Sequence, residues 1–141
     1  MRWDKNDETR AEIQALVDQE AEDELRRRLQ KRIKFGTAGL RGRMTAGFAF
    51  MNDLTVTQAS QGLVKSVMAV FEQKKAEEGV QRAVCIGHDA RHHSATFARL
   101  TASAFLASGV PVYFFREIVP TPMVVCIEFF TTCWAHLLRF F

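Results

Sequence analysis

Hydrophobic residues recur every three or four positions over three stretches of this 141-residue chain. The stretches run from about Thr9 to Leu29, from about Thr57 to Glu78 and from Ser94 to Ala107. This spacing is typical of amphipathic helices that bury one face. Gly79 and Gly109 follow the second and third stretches and favour helix termination, and Ser94 is a candidate N-cap. We therefore predict three helices, the first of them on the outside of the domain with its charged face in solvent.

Two short runs of strand-forming residues flank the third predicted helix. Ala83 to Ile86 is apolar throughout, as expected for a strand covered on both faces, and Val110 to Phe115 is rich in β-branched and aromatic residues. Strand, helix and strand in this order form a βαβ unit with parallel strands. The predicted fold class is therefore α/β. A further strand is predicted at Met44 to Met51, before a turn at Asn52 and Asp53.

A glycine-rich loop joins the first predicted helix to the strand at Met44. Residues Lys34 to Gly42 read KFGTAGLRG, in which three glycines stand at a spacing of three around Thr37 and Arg41. Glycine lets backbone N–H groups approach a ligand closely, and a guanidinium group matches the geometry of phosphate oxygens. The loop therefore suits an oxyanion. A glycine-rich turn with solvated basic residues is the alternative interpretation.

Two other segments follow the predicted parallel strands. Gly87-His88-Asp89-Ala90-Arg91 comes after Ile86, and Val119-Pro120-Thr121-Pro122 comes a few residues after Phe115. Ligands of open α/β sheets bind beyond the carboxyl ends of strands. We therefore expect both segments near the same edge of the sheet. Asp89 and Arg91 are candidates for shaping a ligand site at this edge. The alternative is that they form a structural ion pair or cap the loop.

Several other functions are not favoured by the sequence. His88 and His92 are four apart but lack a third ligand, so a zinc site is not expected. The three cysteines, an odd number without Cys-x-x-Cys spacing, indicate a reduced cytosolic setting. The net charge of +3 is modest, and the basic cluster from Arg26 to Lys34 is interpreted as a solvated helix face, so no nucleic acid partner is expected. Charged residues interrupt the apolar stretch from Met123 to Phe141, so no membrane span is expected either.

These motifs together resemble a known family. The Gly-Thr-x-Gly-x-Arg pattern at 36–41, the Gly-x-Asp-x-Arg pattern at 87–91 and the Thr-Pro loop at 119–122 resemble the α-D-phosphohexomutase superfamily. Trp3-Asp4-Lys5-Asn6 and Met51-Asn52-Asp53-Leu54-Thr55-Val56 resemble its branch that contains phosphopentomutase and glucose-1,6-bisphosphate synthase. The resemblance runs from about Arg2 to Val124.

The resemblance implies an organisation and a set of site residues. It implies a helical extension over residues 1–33, a partial α/β/α domain I over 34–124 and an unrelated apolar tail over 125–141. By this resemblance Arg41 contacts a sugar bisphosphate or the family's phosphoserine, while Thr37 and Gly39 shape the loop. Asp89 and Arg91 would help to shape the same phosphate-binding site.

The sequence also lacks two of the family's segments. It contains neither the phosphoserine segment Thr-Ala-Ser-His-Asn-Pro nor the metal loop Asp-Gly-Asp-x-Asp. We therefore expect no catalytic residue and no metal ligand here, although the resemblance implies Mg²⁺ and glucose 1,6-bisphosphate for the complete enzyme. The resulting hypothesis is an inactive, truncated piece of a cytoplasmic mutase that acts on hexose or pentose phosphates. The alternative is a non-catalytic protein, derived from that domain, that binds phosphate or a partner.

Overall fold

The computed structural model describes residues 3–36, 39–73 and 82–124. The elements with described bounds are, in chain order, α1 (Asp7–Asp18), α2 (Glu22–Leu29), β1 (Phe35–Gly36), β2 (Gly39–Leu40), α3 (Asp53–Gln73), β3 (Val84–Ile86), α4 (Ser94–Ala107) and β4 (Val112–Phe114). The chain separates into two compact units, and the boundary between them falls after Gln58, within α3.

The second unit contains the predicted βαβ arrangement. Strands β3 and β4 are parallel, with Val84 opposite Val112 and Ile86 opposite Phe114. All three residues of β3 are buried, as the continuous apolar run predicted. Phe105 of α4 is fully buried in the cluster that contains β3 residues. The α/β class is therefore confirmed.

Helix α4 has the predicted bounds but not the predicted cap. It ends before Gly109, whose φ of 76° is one that glycine adopts without a steric penalty. At the other end Ser94 is the first helical residue, and the N-cap is His93, which makes no side-chain capping bond. The Ser94 hydroxyl instead accepts a hydrogen bond from the backbone N–H of Asp89 at 3.2 Å. The N-cap prediction is therefore wrong, because the hydroxyl serves the preceding loop.

The single helix predicted from Thr9 to Leu29 is two helices, α1 and α2. Glu20 lies between them with a φ of 50°. The N–H of Glu20 donates to the Val17 carbonyl and that of Ala21 to the Leu16 carbonyl, both at 3.0 Å. This pair of bonds is the Schellman motif that closes helix ends. The apolar spacing continues across the break, so periodicity alone could not reveal it.

The strand predicted at Met44 to Met51 is also wrong. These two residues form one isolated bridge, and the segment between them consists of turns and bends. Gly47 has a φ of 114°, and a Cβ atom there would lie 2.7 Å from the Arg28 carbonyl oxygen. The Asn52 amide holds the bend by donating to the carbonyls of Thr45 and Gly47 at 2.9 Å.

Asn52 also sets the start of α3, where the sequence predicted a turn. Its side-chain oxygen accepts the N–H of Thr55 at 3.0 Å, and the Thr55 hydroxyl accepts the N–H of Asn52 at 3.0 Å. This reciprocal cap satisfies N–H groups that a helix start leaves without partners. The helix therefore begins at Asp53, four residues before the predicted start at Thr57. The predicted stop at Gly79 lies outside the described residues.

A buried arginine joins the two N-terminal helices to the bent segment. Arg28 of α2 donates to Glu24 at 2.6 Å, to Glu12 of α1 at 2.5 Å and to the Thr45 hydroxyl at 2.9 Å. Glu12 also accepts from the Thr45 hydroxyl and, at 2.9 Å, from the Ala46 N–H. Burial raises the pKa of Glu12, but these hydrogen bonds and the Arg28 charge outweigh that effect and hold the pKa below its usual value. The charged outer face predicted for this region is therefore partly an internal ion-pair network.

Of the three cysteines and the apolar tail, the structure describes only Cys85. Cys85 is buried and free of disulfide bonding. Cys126, Cys133 and the tail at 125–141 lie outside the described residues. Among the helices that are described, none has the length and apolar character needed to span a membrane.

Candidate functional site

The carboxyl ends of β3 and β4 bring two of the three sequence motifs together. The backbone leaves β3 at Ile86, whose carbonyl accepts the N–H of Phe115 at 3.0 Å. Two residues further on, the His88 carbonyl accepts the N–H of Val119 at 3.0 Å. The loop at 87–91 and the Thr-Pro loop at 119–122 are thus joined by a backbone hydrogen bond. Their position at one sheet edge is the position that the topology predicted.

Close packing at Gly87 holds the Thr-Pro loop against this edge. A Cβ atom on Gly87 would lie 2.4 Å from the Cγ1 atom of Val119 and 3.0 Å from a methyl carbon of Val124. Val119 and Val124 are themselves buried, in a small cluster with Cys85. Residues 121–124 are helical, and the Met123 N–H donates to the Pro120 carbonyl at 2.9 Å. Close packing therefore requires glycine at position 87. The Gly-x-Asp-x-Arg pattern thus indicates tight packing at its glycine as well as a chemical role for its charged residues.

Asp89 and Arg91 form a compact charged pair on the 87–91 loop. The Arg91 Nε–H donates to Asp89 Oδ2 at 2.7 Å, and the Arg91 backbone N–H donates to Oδ1 at 3.0 Å. Burial raises the pKa of Asp89, but the bonds from Arg91 and from the Ser94 hydroxyl outweigh it, so the pKa is lowered overall. The carboxylate therefore stays ionised at neutral pH. Both side chains remain accessible, at 40% for Asp89 and 61% for Arg91.

This exposure leaves the arginine available to a ligand. An ion pair between exposed groups contributes little to stability, about 0 to 1 kcal/mol. The Nε–H is used by Asp89, whereas among the described residues the terminal nitrogens of Arg91 form no ion pair. Asp89 and Arg91 thus form the structural ion pair that the sequence left as an alternative. Among the described residues, the terminal guanidinium nitrogens of Arg91 remain available as donors to a ligand.

Ser94 supports this loop, a role that sequence reasoning missed. Its side chain is buried at the start of α4, and its hydroxyl accepts the Asp89 N–H. Its own N–H donates to the Arg91 carbonyl at 3.1 Å. The sequence signal for this role is the position of Ser94 five residues after Asp89, but that position also fits a helix N-cap.

The glycine-rich loop belongs to the first unit of the chain. It forms a hairpin in which Phe35 pairs with Leu40 and Gly36 with Gly39. Gly39 is half-buried with a φ of 98°, and Arg41 is exposed just after β2. Thr37, predicted to shape this loop, lies outside the described residues. Gly39 and Arg41 thus lie in one unit, whereas Asp89 and Arg91 lie in the other.

The described side chains do not provide a metal site. Across residues 3–36, 39–73 and 82–124, no three His, Cys, Asp or Glu side chains converge as a set of ligands. His88 points its ring toward Phe114, with centroids 6.2 Å apart, while His92 packs edge-on against His93 at 4.1 Å. A divalent cation would need ligands from outside the described residues.

Comparison with known proteins agrees with these motifs. The sequence model of the phosphoglucomutase/phosphomannomutase family, α/β/α domain I, matches residues 32–133. The chain belongs to this family. The matched range contains the glycine-rich hairpin, the 87–91 loop and the Thr-Pro loop, and so includes every motif whose residues suit phosphate chemistry.

Several curated proteins are similar to most of this chain. It is 44% identical over 130 residues to phosphopentomutase from Mus musculus and 45% identical over 130 residues to glucose 1,6-bisphosphate synthase from Homo sapiens. It is also 45% identical over 123 residues to a probable phosphoribomutase from Schizosaccharomyces pombe. These matches cover 87% or 88% of this chain but only 20% of each relative. The chain thus spans about a fifth of the length of these relatives. No solved structure matches it.

Proposed function

We propose that this chain supplies phosphate-binding loops of a sugar-phosphate mutase that acts on hexose or pentose phosphates. The observation that carries the proposal is the bond between His88 and Val119, which fixes two family motifs at the carboxyl ends of parallel strands. Ligands of α/β proteins bind at that edge. Membership of the phosphoglucomutase/phosphomannomutase family supports a phosphorylated sugar as the ligand.

Each proposed site residue has a distinct task. Arg41 and Arg91 neutralise phosphate charge through guanidinium donors, which suit phosphate oxygens in pairs. Asp89 orients Arg91 through its Oδ2 atom, and Gly39 sets the turn from which Arg41 projects. Thr37 would complete the loop between β1 and β2. Phosphoryl transfer depends largely on such positioning and charge neutralisation.

We expect these residues to bind phosphate without catalysing its transfer in this chain alone. The sequence offers no counterpart to the family's phosphoserine segment, and the described residues hold no set of metal ligands. A phosphoryl group would therefore lack the family's serine as acceptor, and the described residues offer no set of ligands for a metal ion beside it. Mg²⁺ and glucose 1,6-bisphosphate belong to the proposed activity of a complete enzyme.

Calorimetric titration of the full chain with glucose 1,6-bisphosphate tests the proposed binding. Loss of one charge-assisted hydrogen bond costs about 1.5 to 3 kcal/mol, so Arg41→Ala and Arg91→Ala should each weaken binding by about ten- to a hundredfold. Arg26→Ala is a matched control, because Arg26 is also exposed but lies on α2, outside the loops of the proposed site. If all three variants bind like the parent chain, these loops do not hold the phosphate.

A second assay tests the absence of turnover. The chain is supplied with glucose 1-phosphate or ribose 1-phosphate, Mg²⁺ and a bisphosphate primer, and ³²P transfer to protein is followed alongside product formation. We expect neither product nor label. If label and turnover persist after contaminating mutase is removed, the chain is active and the expectation of inactivity is wrong. The binding result would still stand by itself.

A further inference from the structure

One segment of the first unit holds both stems of the glycine-rich hairpin. This bent segment, residues 44–51, bonds to the chain on either side of β1 and β2. Before β1, the Ile33 N–H donates to the Phe48 carbonyl at 2.7 Å. After β2, the Arg43 carbonyl accepts the Met51 N–H at 3.0 Å. The place of the hairpin therefore depends on where the bent segment lies.

Arg41 depends on its backbone for its position. Its side chain is exposed, and with none of the residues that the structure describes does it form an ion pair or a hydrogen bond. The residue before it, Leu40, is only 1% exposed, and the Arg43 carbonyl two residues after it is bonded to the bent segment. The Arg41 guanidinium is therefore presented to a ligand only as precisely as the hairpin is held.

A threonine hydroxyl ties the bent segment to both N-terminal helices. The Thr45 hydroxyl accepts a hydrogen bond from Arg28 Nη1 of α2 at 2.9 Å and donates one to Glu12 Oε1 of α1. An ionised carboxylate can only accept a hydrogen bond, so the hydroxyl must be the donor to Glu12. The one O–H of Thr45 is thus committed to this network.

Two other bonds join the bent segment to these helices, and both use its backbone. The Ala46 N–H donates to Glu12 Oε2 at 2.9 Å, and the Ala49 N–H donates to the Arg28 carbonyl at 3.1 Å. Of all these bonds, only those of Thr45 are made by a side chain of the segment itself. A change at position 45 can therefore loosen the segment while α1, α2 and their ion pairs remain.

We propose that Thr45 is a positioning residue for phosphate binding by Arg41. Its hydroxyl fixes the bent segment against α1 and α2, and the bent segment fixes both stems of the hairpin that carries Arg41. A donor held in place before the ligand arrives loses less conformational freedom on binding, so binding is tighter. The inference rests on the proposed sugar-phosphate site and adds a residue that acts on it through the backbone.

A purely stabilising role of the Thr45 hydroxyl is the alternative, and Thr9 provides the matched control. Both threonines are half-buried in the first unit, and the Thr9 hydroxyl also donates to a carboxylate, that of Asp4, at 2.7 Å. Among the described residues, neither Thr9 nor Asp4 forms a hydrogen bond with the bent segment. Thr9→Val and Thr45→Val should therefore lower the thermal midpoint by similar amounts, since each loses a hydroxyl bonded to a carboxylate.

Calorimetric titration of the full chain with glucose 1,6-bisphosphate separates the two roles. Thr45→Val should weaken binding by about fivefold, which corresponds to the net contribution of one hydrogen bond. Thr45→Ser keeps the hydroxyl, so it and Thr9→Val should both bind within about twofold of the parent chain. In an Arg41→Ala background, Thr45→Val should have no further effect, because no guanidinium is left to position. Effects that add in the double variant, or an equal loss of affinity in Thr9→Val, would show that Thr45 only stabilises the fold.

Hydrogen exchange without ligand distinguishes failure of this inference from failure of the proposed function. The Ile33 and Met51 amides, which bond the hairpin stems to the bent segment, should exchange faster in Thr45→Val but not in Thr9→Val. If Arg41→Ala weakens binding while Thr45→Val changes neither binding nor exchange, the inference is wrong and the proposed function stands. If the parent chain binds no bisphosphate, the proposed function fails. Faster exchange would then still show that Thr45 holds the hairpin, and unchanged exchange would refute it.

Discussion

Replacement of Gly87 by alanine tests whether close packing joins the two loops of the candidate site. The added Cβ atom would stand 2.4 Å from Val119 Cγ1 and 3.0 Å from Val124 Cγ2. Real Cβ atoms do not approach carbon this closely, so the Thr-Pro loop must move. Position 87 has no positive φ, and the strain is therefore steric rather than conformational. Overpacking of one methyl group costs about 1 to 3 kcal/mol, which is the expected loss of unfolding free energy for Gly87→Ala.

The loss should be relieved by shortening the neighbour it meets. Val119→Ala alone removes buried methyl groups and destabilises the chain, but in the Gly87→Ala background it makes room for the new atom. The double variant should therefore be at least about 1 kcal/mol more stable than the sum of the single effects predicts. Gly62→Ala is the matched control, because a Cβ there meets nothing within 4 Å on the exposed side of α3. That change should stabilise the helix by about 0.5 to 1 kcal/mol.

Urea unfolding followed by circular dichroism measures all four variants, and calorimetric titration with glucose 1,6-bisphosphate follows the site. Displacement of the Thr-Pro loop should strain the bond between the His88 carbonyl and the Val119 N–H, and should weaken ligand binding together with stability. The reasoning is refuted if Gly87→Ala unfolds at the same urea concentration as the parent chain. It is equally refuted if Val119→Ala gives no rescue.

Three further changes address other features of the fold. Glu20→Gly should raise the unfolding free energy by about 0.5 to 1 kcal/mol, because Glu20 has a φ of 50° whereas Gln19, the control position, has a φ of −87°; a gain from Gln19→Gly instead would contradict this. Glu12→Gln should cost about 1 kcal/mol at neutral pH, since its side chain is 39% exposed and partly screened. Because the pKa of Glu12 is lowered in the folded state, its stabilisation is present above the unfolded pKa and is lost as pH falls through the folded pKa. In the Glu12→Gln variant the unfolding free energy should therefore fall less steeply at acid pH. An unchanged acid limb would exclude Glu12 as its source. Ser94→Ala should speed hydrogen exchange at the Asp89 amide, whose hydrogen bond it removes, and unchanged exchange would show that the hydroxyl does not hold the loop.

The elements that were predictable are those whose signal is local. Helix α4 was predicted with both ends correct, because its apolar period is clear and Gly109 marks the point where φ becomes positive. The parallel pairing of β3 with β4 followed from the order of elements, and the contact between the 87–91 and 119–122 loops followed from that pairing. These inferences needed no knowledge of distant side chains.

The features that were missed depend on partners far along the chain or on an unusual backbone. Nothing in the identity of Glu20 indicates a left-handed conformation, and the apolar period continues past it. The bend at 44–51 depends on the Asn52 amide, which takes two carbonyls that a strand would have paired elsewhere. The role of Ser94 was missed for a related reason: its spacing from the helix start favoured a cap, while its actual partner lies in the loop that it supports.

The basic residues between Arg26 and Arg43 show why charge alone could not locate a site. Arg28 has the same charge as Arg41, yet its guanidinium is enclosed by Glu24, Glu12 and Thr45, and it holds α1, α2 and the bent segment together. The hydrogen bond from Arg27 and, to a smaller extent, that from Arg28 lower the pKa of Glu24 to about 2. Glu24 is therefore ionised, and the pairing persists, at any physiological pH. An anion could therefore reach the Arg28 guanidinium only by displacing Glu24 or Glu12. Arg41 has no such competitor among the described residues. Within this basic run Arg41 is therefore open to an anion, whereas Arg28 is not, although the two residues have the same charge.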